Sequence, residues 1–434
     1  MFAGILALLL AAPDPSRPNV VLIISDDQGW TDYGFMGHRR ALTPHLDKLA
    51  SESRVFRRGY VTSSLCCPSL AAILTGRYPH QTKITGNEPP TPAGIPKGSR
   101  YQNPVFLSQI QKLNGFLSEQ PRIPALLAAK GYRSFQAGKW WGGSFATGGF
   151  TEGMSHGDPA KGGRHGDEGL EIGRKTLDPV TKFMDRCQAD SAPFFVWYAP
   201  MLPHTPHNPP PRFMAPQREG AASLPQARYL AMCGWFDETC GQLLKHLDDK
   251  GLRDNTLVVY VTDNGWIQDP SGPGYRSDSK QSQYDGGLRT PIMVRWPGKV
   301  TPEKIDKPVS SIDIAPTILN AAGIGIPSSL EGIDLLNDKK VAGRGPVMGT
   351  CYLHDSVDID SPAASWTYRW MVEGDYKRIV PNPKTVKKEN KKGRGLGPEL
   401  YQIVRDPFEE SNLEAKEPDI GKRMDVVLNR WWNP

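Results

Sequence analysis

Short apolar runs alternate with amphipathic segments along the first three quarters of this 434-residue chain. Runs rich in β-branched and aromatic residues at 19–24, 194–198, 257–261 and 292–296 predict strands that are buried on both faces. Helical patterns lie between them, at 123–130, 226–250 and 312–322, and each ends near a glycine that is typical of a helix C-cap. Buried strands that alternate with helices predict an α/β fold, with a large and mostly parallel sheet flanked by helices.

The pattern changes after about residue 347. Short runs at 370–372, 376–380 and 399–404 predict antiparallel strands, and a helix is predicted near 420–432. We therefore expect a large domain over residues 19–346 and a smaller C-terminal α+β subdomain with an antiparallel sheet over 347–434. Residues 142–173 are rich in Gly, His and Asp with little apolar periodicity, which predicts an ordered loop over the functional site.

Polar pairs follow two of the predicted strands. Asp26 and Asp27 come after the first, and Asp263 and Asn264 come after the third. Sites of parallel sheets lie at the carboxyl ends of strands, and adjacent carboxylates repel each other unless a cation with hard oxygen ligands neutralises them. A single Asp-Asp pair is more simply an Asx turn or helix cap. Two such pairs favour a Ca²⁺ or Mg²⁺ site.

A third candidate feature is the segment CCPSLAAILTGR at residues 66–77. Pro68 suits the first position of a helix that ends near Gly76. Cys66 would then precede the helix N-terminus, where backbone N–H groups favour an anion and lower the pKa of a thiol. The alternative, a half-buried structural thiol, stays equally open.

Composition and charge narrow the function classes. A hydrophobic fraction of 38% and a charged fraction of 23% predict a folded protein, and no apolar run reaches the roughly 18 residues of a membrane span. Much of the net charge of +6 lies in a basic run at 384–394. Its Pro/Gly/Asn-rich context favours a solvated loop, or a rim that attracts an anionic substrate, and predicts no nucleic-acid partner.

Two further features bear on the compartment. Residues 1–12 are apolar and end in small residues, which favours a secretory signal peptide and a periplasmic or secreted protein over a buried first strand or a wrongly assigned start. The spacing of the six cysteines does not predict a disulfide framework.

The segment at 66–77 resembles the signature of the type I, formylglycine-dependent sulfatases of the alkaline-phosphatase-like superfamily. Other stretches resemble further family segments in the expected order: 21–27, 43–50, 137–140, 203–206, 262–265, 280 with 284–291, 399–401 and 406–410. The resemblance covers nearly the whole chain, and the ordered set is far more specific than any single motif.

This resemblance implies an alkaline-phosphatase-like fold and a role for each matching residue. A formylglycine-generating enzyme would oxidise Cys66 to formylglycine, whose hydrate is the nucleophile. Lys139, His204 and Lys280 would hold the sulfate oxygens or protonate the leaving alcohol. The implied ligands of a Ca²⁺ ion, with Mg²⁺ in second place, are Asp26, Asp27, Asp263, Asn264 and the modified Cys66.

Two positions depart from the family pattern. Leu70 stands where the family has an Arg that belongs to the recognition sequence of the modifying enzyme, and Trp141 stands where it has a second His. His156 or His165 would replace that His, although a structural or solvent-facing role is the simpler interpretation for either. His207 would contact substrate or pack within its loop.

The sequence thus predicts a sulfatase that hydrolyses a sulfate ester of a small molecule or glycan, with a carbohydrate favoured. A phosphodiesterase or phosphonate hydrolase of the same superfamily is the first alternative. A catalytically impaired, glycan-binding protein on the sulfatase fold is the second, because of Leu70 and Trp141.

Overall fold

The computed structural model describes residues 17–157, 165–386 and 394–434, and it contains two β-sheets. The first sheet has nine strands: β1 (Asn19–Ser25), β2 (Arg54–Tyr60), β3 (Arg133–Gly138), β4 (Glu152–Gly153), β5 (Phe194–Ala199), β6 (Thr256–Thr262), β7 (Arg289–Arg295), β8 (Glu303–Ile305) and β9 (Val309–Ser310). Their order is β4-β3-β5-β1-β6-β7-β2-β8, and β9 also pairs with β2.

Only β7 runs against its neighbours in this sheet. It pairs antiparallel with both β6 and β2, whereas the pairs β4–β3, β3–β5, β5–β1, β1–β6, β2–β8 and β2–β9 are parallel. The carboxyl ends of β1, β2, β3, β5 and β6 therefore meet at one edge of the sheet, and the loops that follow them can share one site.

Helices cover both faces of this sheet. Alternate side chains of β1 point to opposite faces: Leu22 packs in the cluster that includes Leu74 and Ile318, and Ile23 in the cluster that includes Leu49 and Phe236. The helices up to the second sheet are α1 (Pro44–Ser51), α2 (Cys66–Thr75), α3 (Pro79–Thr82), α4 (Pro104–Ser118), α5 (Ile123–Ala128), α6 (Asp178–Ala189), α7 (Pro211–Arg218), α8 (Leu224–Asp249), α9 (Asp285–Leu288), α10 (Ile314–Ala321) and α11 (Asp338–Ala342).

The second sheet is antiparallel and lies in the C-terminal part of the chain. It consists of β10 (Val347–Tyr352), β11 (Trp366–Glu373), β12 (Tyr376–Pro381) and β13 (Glu399–Gln402) in that order. The terminal helix α12 (Pro418–Trp431) packs Met424 and Leu428 against Met371 and Leu400 of the sheet. The predicted fold class, a mostly parallel sheet with a smaller antiparallel subdomain, is confirmed.

Several local predictions change in detail. Helix α2 begins at Cys66 itself, so Pro68 is its third residue and not its first. Strand β10 is an addition to the three short strands that the pattern predicts. The predicted loop at 142–173 contains the edge strand β4, and its residues 158–164 lie outside the described part, as do the predicted signal peptide at 1–12 and most of the basic run.

Two further observations concern the cysteines and membrane-spanning helices. All six cysteines are free and buried, in agreement with the absence of a predicted disulfide framework. Within the described ranges, no helix has both the length and the apolar character that a bilayer crossing requires.

Candidate active site

The two acidic pairs meet where β1 and β6 end side by side. Ser25 is in register with Thr262 at the ends of these strands, and the backbone N–H of Asp263 donates to the Ser25 carbonyl at 2.9 Å. Asp27 has a positive φ of 63°. Its N–H donates to the Asp263 carboxylate at 3.1 Å. All four polar side chains, those of Asp26, Asp27, Asp263 and Asn264, are buried at this edge.

The oxygen atoms of this group fit a divalent cation. The Asn264 amide nitrogen donates to Asp27 Oδ1 at 2.7 Å, so the Asn264 Oδ1 atom is directed toward the site. Among the described residues, Asp26 Oδ2, Asp263 Oδ2 and Asn264 Oδ1 are buried with no hydrogen-bond partner. Buried polar atoms normally have partners, and hard oxygen donors of this kind suit Ca²⁺ or Mg²⁺.

Cys66 and His204 complete a compact group with the first acidic pair. One side-chain donor atom from each of Asp26, Asp27, Cys66 and His204 lies within 4.8 Å of the others. The His204 ring is oriented by its Nδ1 atom, which lies 2.6 Å from the Thr205 carbonyl oxygen. Its Nε2 atom lies 3.4 Å from Asp27 Oδ2.

Two buried lysines reach the same carboxylates. Lys139 directly follows β3, and its Nζ donates to Asp26 Oδ1 at 2.6 Å and lies 3.6 Å from Asp263 Oδ2. Lys280 comes from the loop between β6 and α9, and its Nζ donates to Asp27 Oδ2 at 2.6 Å. Gly138, which precedes Lys139, has φ 96°, and a Cβ added there would lie 2.0 Å from the Ala199 carbonyl oxygen. Only glycine fits this turn, which directs Lys139 into the site.

The charges shift the pKa values of these groups strongly. Burial alone would raise the pKa of Asp27, but Lys280, His204 and Lys139 lower it to about 2. Burial and the neighbouring Asp26 raise the pKa of Asp263 well above its usual range. Burial disfavours the charged form of Lys139 and Lys280. The neighbouring carboxylates nevertheless raise the pKa of both lysines above the usual value, so both stay protonated. The site thus combines two fixed cations with carboxylates that favour a further positive charge.

The expectation that the helix N-terminus lowers the pKa of the Cys66 thiol is wrong. Burial raises this pKa far above the ordinary value, and the nearby cations Lys139 and Lys280 only partly oppose the effect. The N–H of the next residue, Cys67, is already taken by Asn87 Oδ1 at 2.9 Å. An unmodified Cys66 is therefore a poor nucleophile at neutral pH.

A cavity of about 1260 Å³ opens above this group. Cys66, Asp27, Lys139, His204 and Lys280 all contribute to its wall. The departures Leu70 and Trp141 line it as well, and so do Trp266, Tyr275, Gln281 and Arg228. Two other aromatic residues near strand ends, Trp140 and Tyr198, are fully buried in the core.

The three candidate substrate-binding histidines have different environments. His165 lines the cavity, with Nε2 3.9 Å from Glu88 Oε1. His207 also lines it, with its ring packed against Tyr229 and Trp266 at 5.5 and 5.7 Å between centroids, and burial lowers its pKa to about 4.

His156 differs from both. It is exposed and lies outside the described cavity wall, because the Asp167 carboxylate binds its backbone N–H at 2.7 Å and its ring packs edge-on against Phe145. His156 therefore has a solvent-facing position, which is the simpler of the two interpretations of this residue.

Two further cavity residues, Asn87 and His354, are not among the predicted site residues. They follow no predicted strand of the large sheet and match no quoted motif. Their loops meet through backbone hydrogen bonds, from Asn87 N–H to the His354 carbonyl and from Ser356 N–H to the Glu88 carbonyl, each 2.8 Å long. The adjacent pair His354-Asp355 is the only local signal in the sequence.

Comparisons with known proteins identify the family to which the chain belongs. The sulfatase family model matches residues 18–324. N-acetylgalactosamine-6-sulfatase of Canis lupus familiaris is 30% identical over 366 residues, which cover 75% of this chain and 66% of the relative. Arylsulfatase A of Homo sapiens is 29% identical over 390 residues, which cover 79% of this chain and 71% of the relative. The chain thus spans about two thirds of the length of these curated relatives.

A solved structure shares the fold. Ps i-CgsB in complex with k-i-k-neocarrahexaose superimposes with a TM-score of 0.74 at 23% identity, covering 96% of this chain and 93% of the other. The family model, which matches well over half of the chain, decides the assignment. The chain belongs to the sulfatase family, and the predicted family is confirmed.

Proposed function

We propose that this protein hydrolyses a sulfate ester on a carbohydrate, with a formylglycine formed from Cys66 and a bound Ca²⁺ ion. One observation carries the proposal. Two buried lysines and His204 surround a cluster of carboxylates and Cys66 at the wall of one large cavity. Such preorganised cations stabilise the negative charge that develops when a sulfate ester is cleaved.

The acidic cluster would hold the metal. Asp26, Asp27, Asp263 and Asn264 offer the oxygen ligands, three of them with an atom that has no hydrogen-bond partner among the described residues. A bound Ca²⁺ ion would supply Lewis-acid polarisation of the sulfate oxygens. We favour Ca²⁺ over Mg²⁺ because such an all-protein oxygen cage suits the larger ion.

The other polar residues bind the sulfate or donate a proton to the leaving group. Lys139 and Lys280 bind sulfate oxygens as fixed positive charges, and their burial strengthens the interaction because water screens it less. His204, oriented by the Thr205 carbonyl, presents Nε2 toward the site and serves as a further sulfate ligand or as the proton donor to the leaving alcohol.

A formylglycine at residue 66 would supply a geminal diol as the nucleophile. Burial raises the pKa of the unmodified thiol, which supports a need for this conversion. A formylglycine-generating enzyme is the maturation partner in this proposal. Leu70, buried on α2, replaces the Arg of its recognition sequence, so the extent of conversion is itself a test.

A carbohydrate substrate is supported by the cavity. Its volume of about 1260 Å³ exceeds the range typical of pockets for small ligands. Trp141, Trp266 and Tyr275 line it and offer apolar faces for a sugar ring. One relative is named N-acetylgalactosamine-6-sulfatase, and one structural neighbour was solved in complex with k-i-k-neocarrahexaose.

We also propose export to the periplasm or medium, motivated by the apolar residues 1–12.

The test combines maturation with turnover. The protein is produced with a formylglycine-generating enzyme, the Cys66 peptide is analysed by mass spectrometry, and sulfate release is measured with sulfated saccharides and an aryl sulfate. Phosphate diesters and a phosphonate monoester are assayed in parallel. We expect formylglycine at residue 66 and sulfate release from a saccharide.

Matched cysteine variants sharpen this test. Cys66→Ala should abolish turnover. Cys67→Ala should keep most of it, because the Cys67 thiol donates to the Asn87 carbonyl at 3.8 Å and is not part of the compact group of Asp26, Asp27, Cys66 and His204. Faster release from the phosphorus esters would support the phosphodiesterase or phosphonate hydrolase alternative. Saccharide binding without turnover of any ester would support the catalytically impaired alternative.

A further inference from the structure

A loop of the C-terminal subdomain forms part of the cavity wall beside α2. The two backbone hydrogen bonds between residues 87–88 and residues 354–356 hold this loop in place. Gly86 permits the close approach, since an added Cβ would lie 2.7 Å from Ser356 Oγ and 2.9 Å from the Ser356 nitrogen. The loop thereby places His354 in the cavity wall.

The His354 imidazole is oriented by a carboxylate. Its Nδ1 lies 2.6 Å from Asp355 Oδ1, and the other oxygen of Asp355 is bound by Arg100 at 3.0 Å and Lys97 at 3.1 Å. A carboxylate at Nδ1 fixes the tautomer and directs Nε2 outward. Nε2 lies 3.4 Å from the Asn87 amide nitrogen, a long contact that a stronger partner can displace.

This ring is not required to hold the loop. The backbone bonds from Asn87 to His354 and from Ser356 to Glu88 do that without any side chain. The imidazole is also 45% exposed, and it lines the same cavity as the apolar side chains of Leu70 and Trp141. A carboxylate-oriented imidazole in such a place is typical of a ligand contact.

The ring is also linked to the reactive position. Asn87, which contacts His354 Nε2, accepts the N–H of Cys67 at 2.9 Å, one residue from Cys66. A saccharide whose sulfate lies at Cys66 would therefore bring hydroxyl groups of the same sugar ring toward this wall.

We propose that His354, oriented by Asp355, binds a hydroxyl group of the sugar that carries the scissile sulfate, and so contributes to substrate specificity. The inference rests on the proposed sulfatase function. It assigns the sugar contact to the C-terminal subdomain, and it leaves the sulfate itself to Lys139, His204 and Lys280. His354 is thus a substrate-binding residue in this proposal, and Asp355 is a positioning residue.

The test compares two substrates on the matured enzyme. The variants are His354→Ala, His354→Gln and Asp355→Asn, and the substrates are a sulfated saccharide that the wild type cleaves and 4-nitrophenyl sulfate, which has no sugar hydroxyl. We expect His354→Ala to lower kcat/KM for the saccharide about tenfold or more, mainly through KM, because one hydrogen bond to the ligand is lost. The aryl sulfate should change less than about threefold.

Two further variants complete the design. His354→Gln keeps a hydrogen-bonding group and should recover part of the saccharide loss, and Asp355→Asn should give an intermediate loss on the saccharide alone. The control is His246→Ala, since His246 on α8 forms a similar pair with Asp185 at 2.9 Å but lies outside the described cavity wall. It should leave both substrates unchanged.

The possible failures are distinguishable. Equal losses on both substrates, or saccharide kinetics of His354→Ala that match the control, would overturn the role of His354 while sulfate release still supported the sulfatase function. Failure of the matured wild type to release sulfate from either substrate class would overturn the proposed function, and the inference with it.

Discussion

Lys377 on β12 of the antiparallel sheet donates a hydrogen bond of 2.8 Å to Asp285 on α9, the short helix that directly precedes β7 of the large sheet. Both side chains are completely buried. Glu409 joins them, with one oxygen 2.7 Å from Lys377 Nζ and the other accepting the Asp285 N–H at 2.6 Å. Because Asp285 begins the short helix five residues after Lys280, the C-terminal subdomain stabilises the segment that carries a candidate sulfate ligand.

The first prediction concerns this network. Lys377→Met should lower the free energy of unfolding by about 3–5 kcal/mol, since two buried carboxylates lose their common cation. The urea midpoint measures the change, with an unaltered m-value as evidence that the unfolded surface stays the same. Lys245→Met is the control, because Lys245 pairs with Asp249 on the exposed face of α8. It should cost about 1 kcal/mol or less. Equal midpoints for the two variants would contradict the prediction.

The second prediction concerns the metal. Asp27→Ala and Asp263→Ala should each lose bound Ca²⁺ and sulfate release together, because each removes a buried oxygen ligand. Elemental analysis of the purified variants measures the metal content. Treatment of the wild type with a chelator should remove its activity, and addition of Ca²⁺ should restore it. Asp249→Ala, at an exposed position, serves as the control. A variant with full metal content and full turnover would show that the ligand set is wrong.

The third prediction concerns the buried lysines. Lys139→Ala and Lys280→Ala should each lower kcat and kcat/KM by similar factors, on the order of 10²–10³, if the charges act mainly in the transition state. Steady-state kinetics on the matured enzyme measure both parameters. Lys182→Ala, an exposed residue of α6, should behave like the wild type. Near-normal turnover of Lys280→Ala would remove this residue from the site.

The fourth prediction concerns pH and a histidine, His80, that is not part of the described cavity wall. His80 stacks on Trp432 at 4.7 Å and on Tyr78 at 5.7 Å between ring centroids, and so joins α3 to the C-terminal end. Burial, with a smaller contribution from Arg77, lowers its pKa from 6.5 to about 4. Between these values the unfolded chain binds a proton that the folded protein excludes, so stability is lost as the pH falls from 6.5 to about 4.

His80→Phe should remove this part of the pH dependence while keeping the aromatic stack. We expect the wild type to lose on the order of 1–3 kcal/mol more than the variant between these pH values. Urea unfolding at pH 7 and near pH 4.5 measures the difference. Parallel stability curves for the two proteins would show that His80 titrates normally in the folded state.

Much of the fold and part of the site follow from local sequence. Residues 19–24 and 257–261 are continuously apolar, which indicates strands buried on both faces, and both form strands of the central parallel sheet. Because parallel strands end at a common edge, the acidic pairs after them were expected to meet, and Asp27 and Asp263 are indeed in hydrogen-bond contact.

The rest depended on tertiary structure. His156 and His165 lie in one segment with equal sequence signals, yet only His165 lines the cavity, because the path of that loop depends on contacts such as the one between His156 N–H and Asp167. The helix-terminus pattern wrongly predicted a lowered pKa for Cys66, since a local pattern contains no information on how completely the surrounding chain excludes water.

His354 shows most clearly that part of the site depends on tertiary structure. No strand-end pattern marks it, and it reaches the cavity only because its loop pairs with residues 87–88, more than 260 positions earlier in the chain. The sequence by itself determined which segments are buried and where their polar ends lie, because alternation and strand composition are local properties. Which distant loops close over those ends, and how far they exclude water, was decided by the packing of the two sheets and their helices.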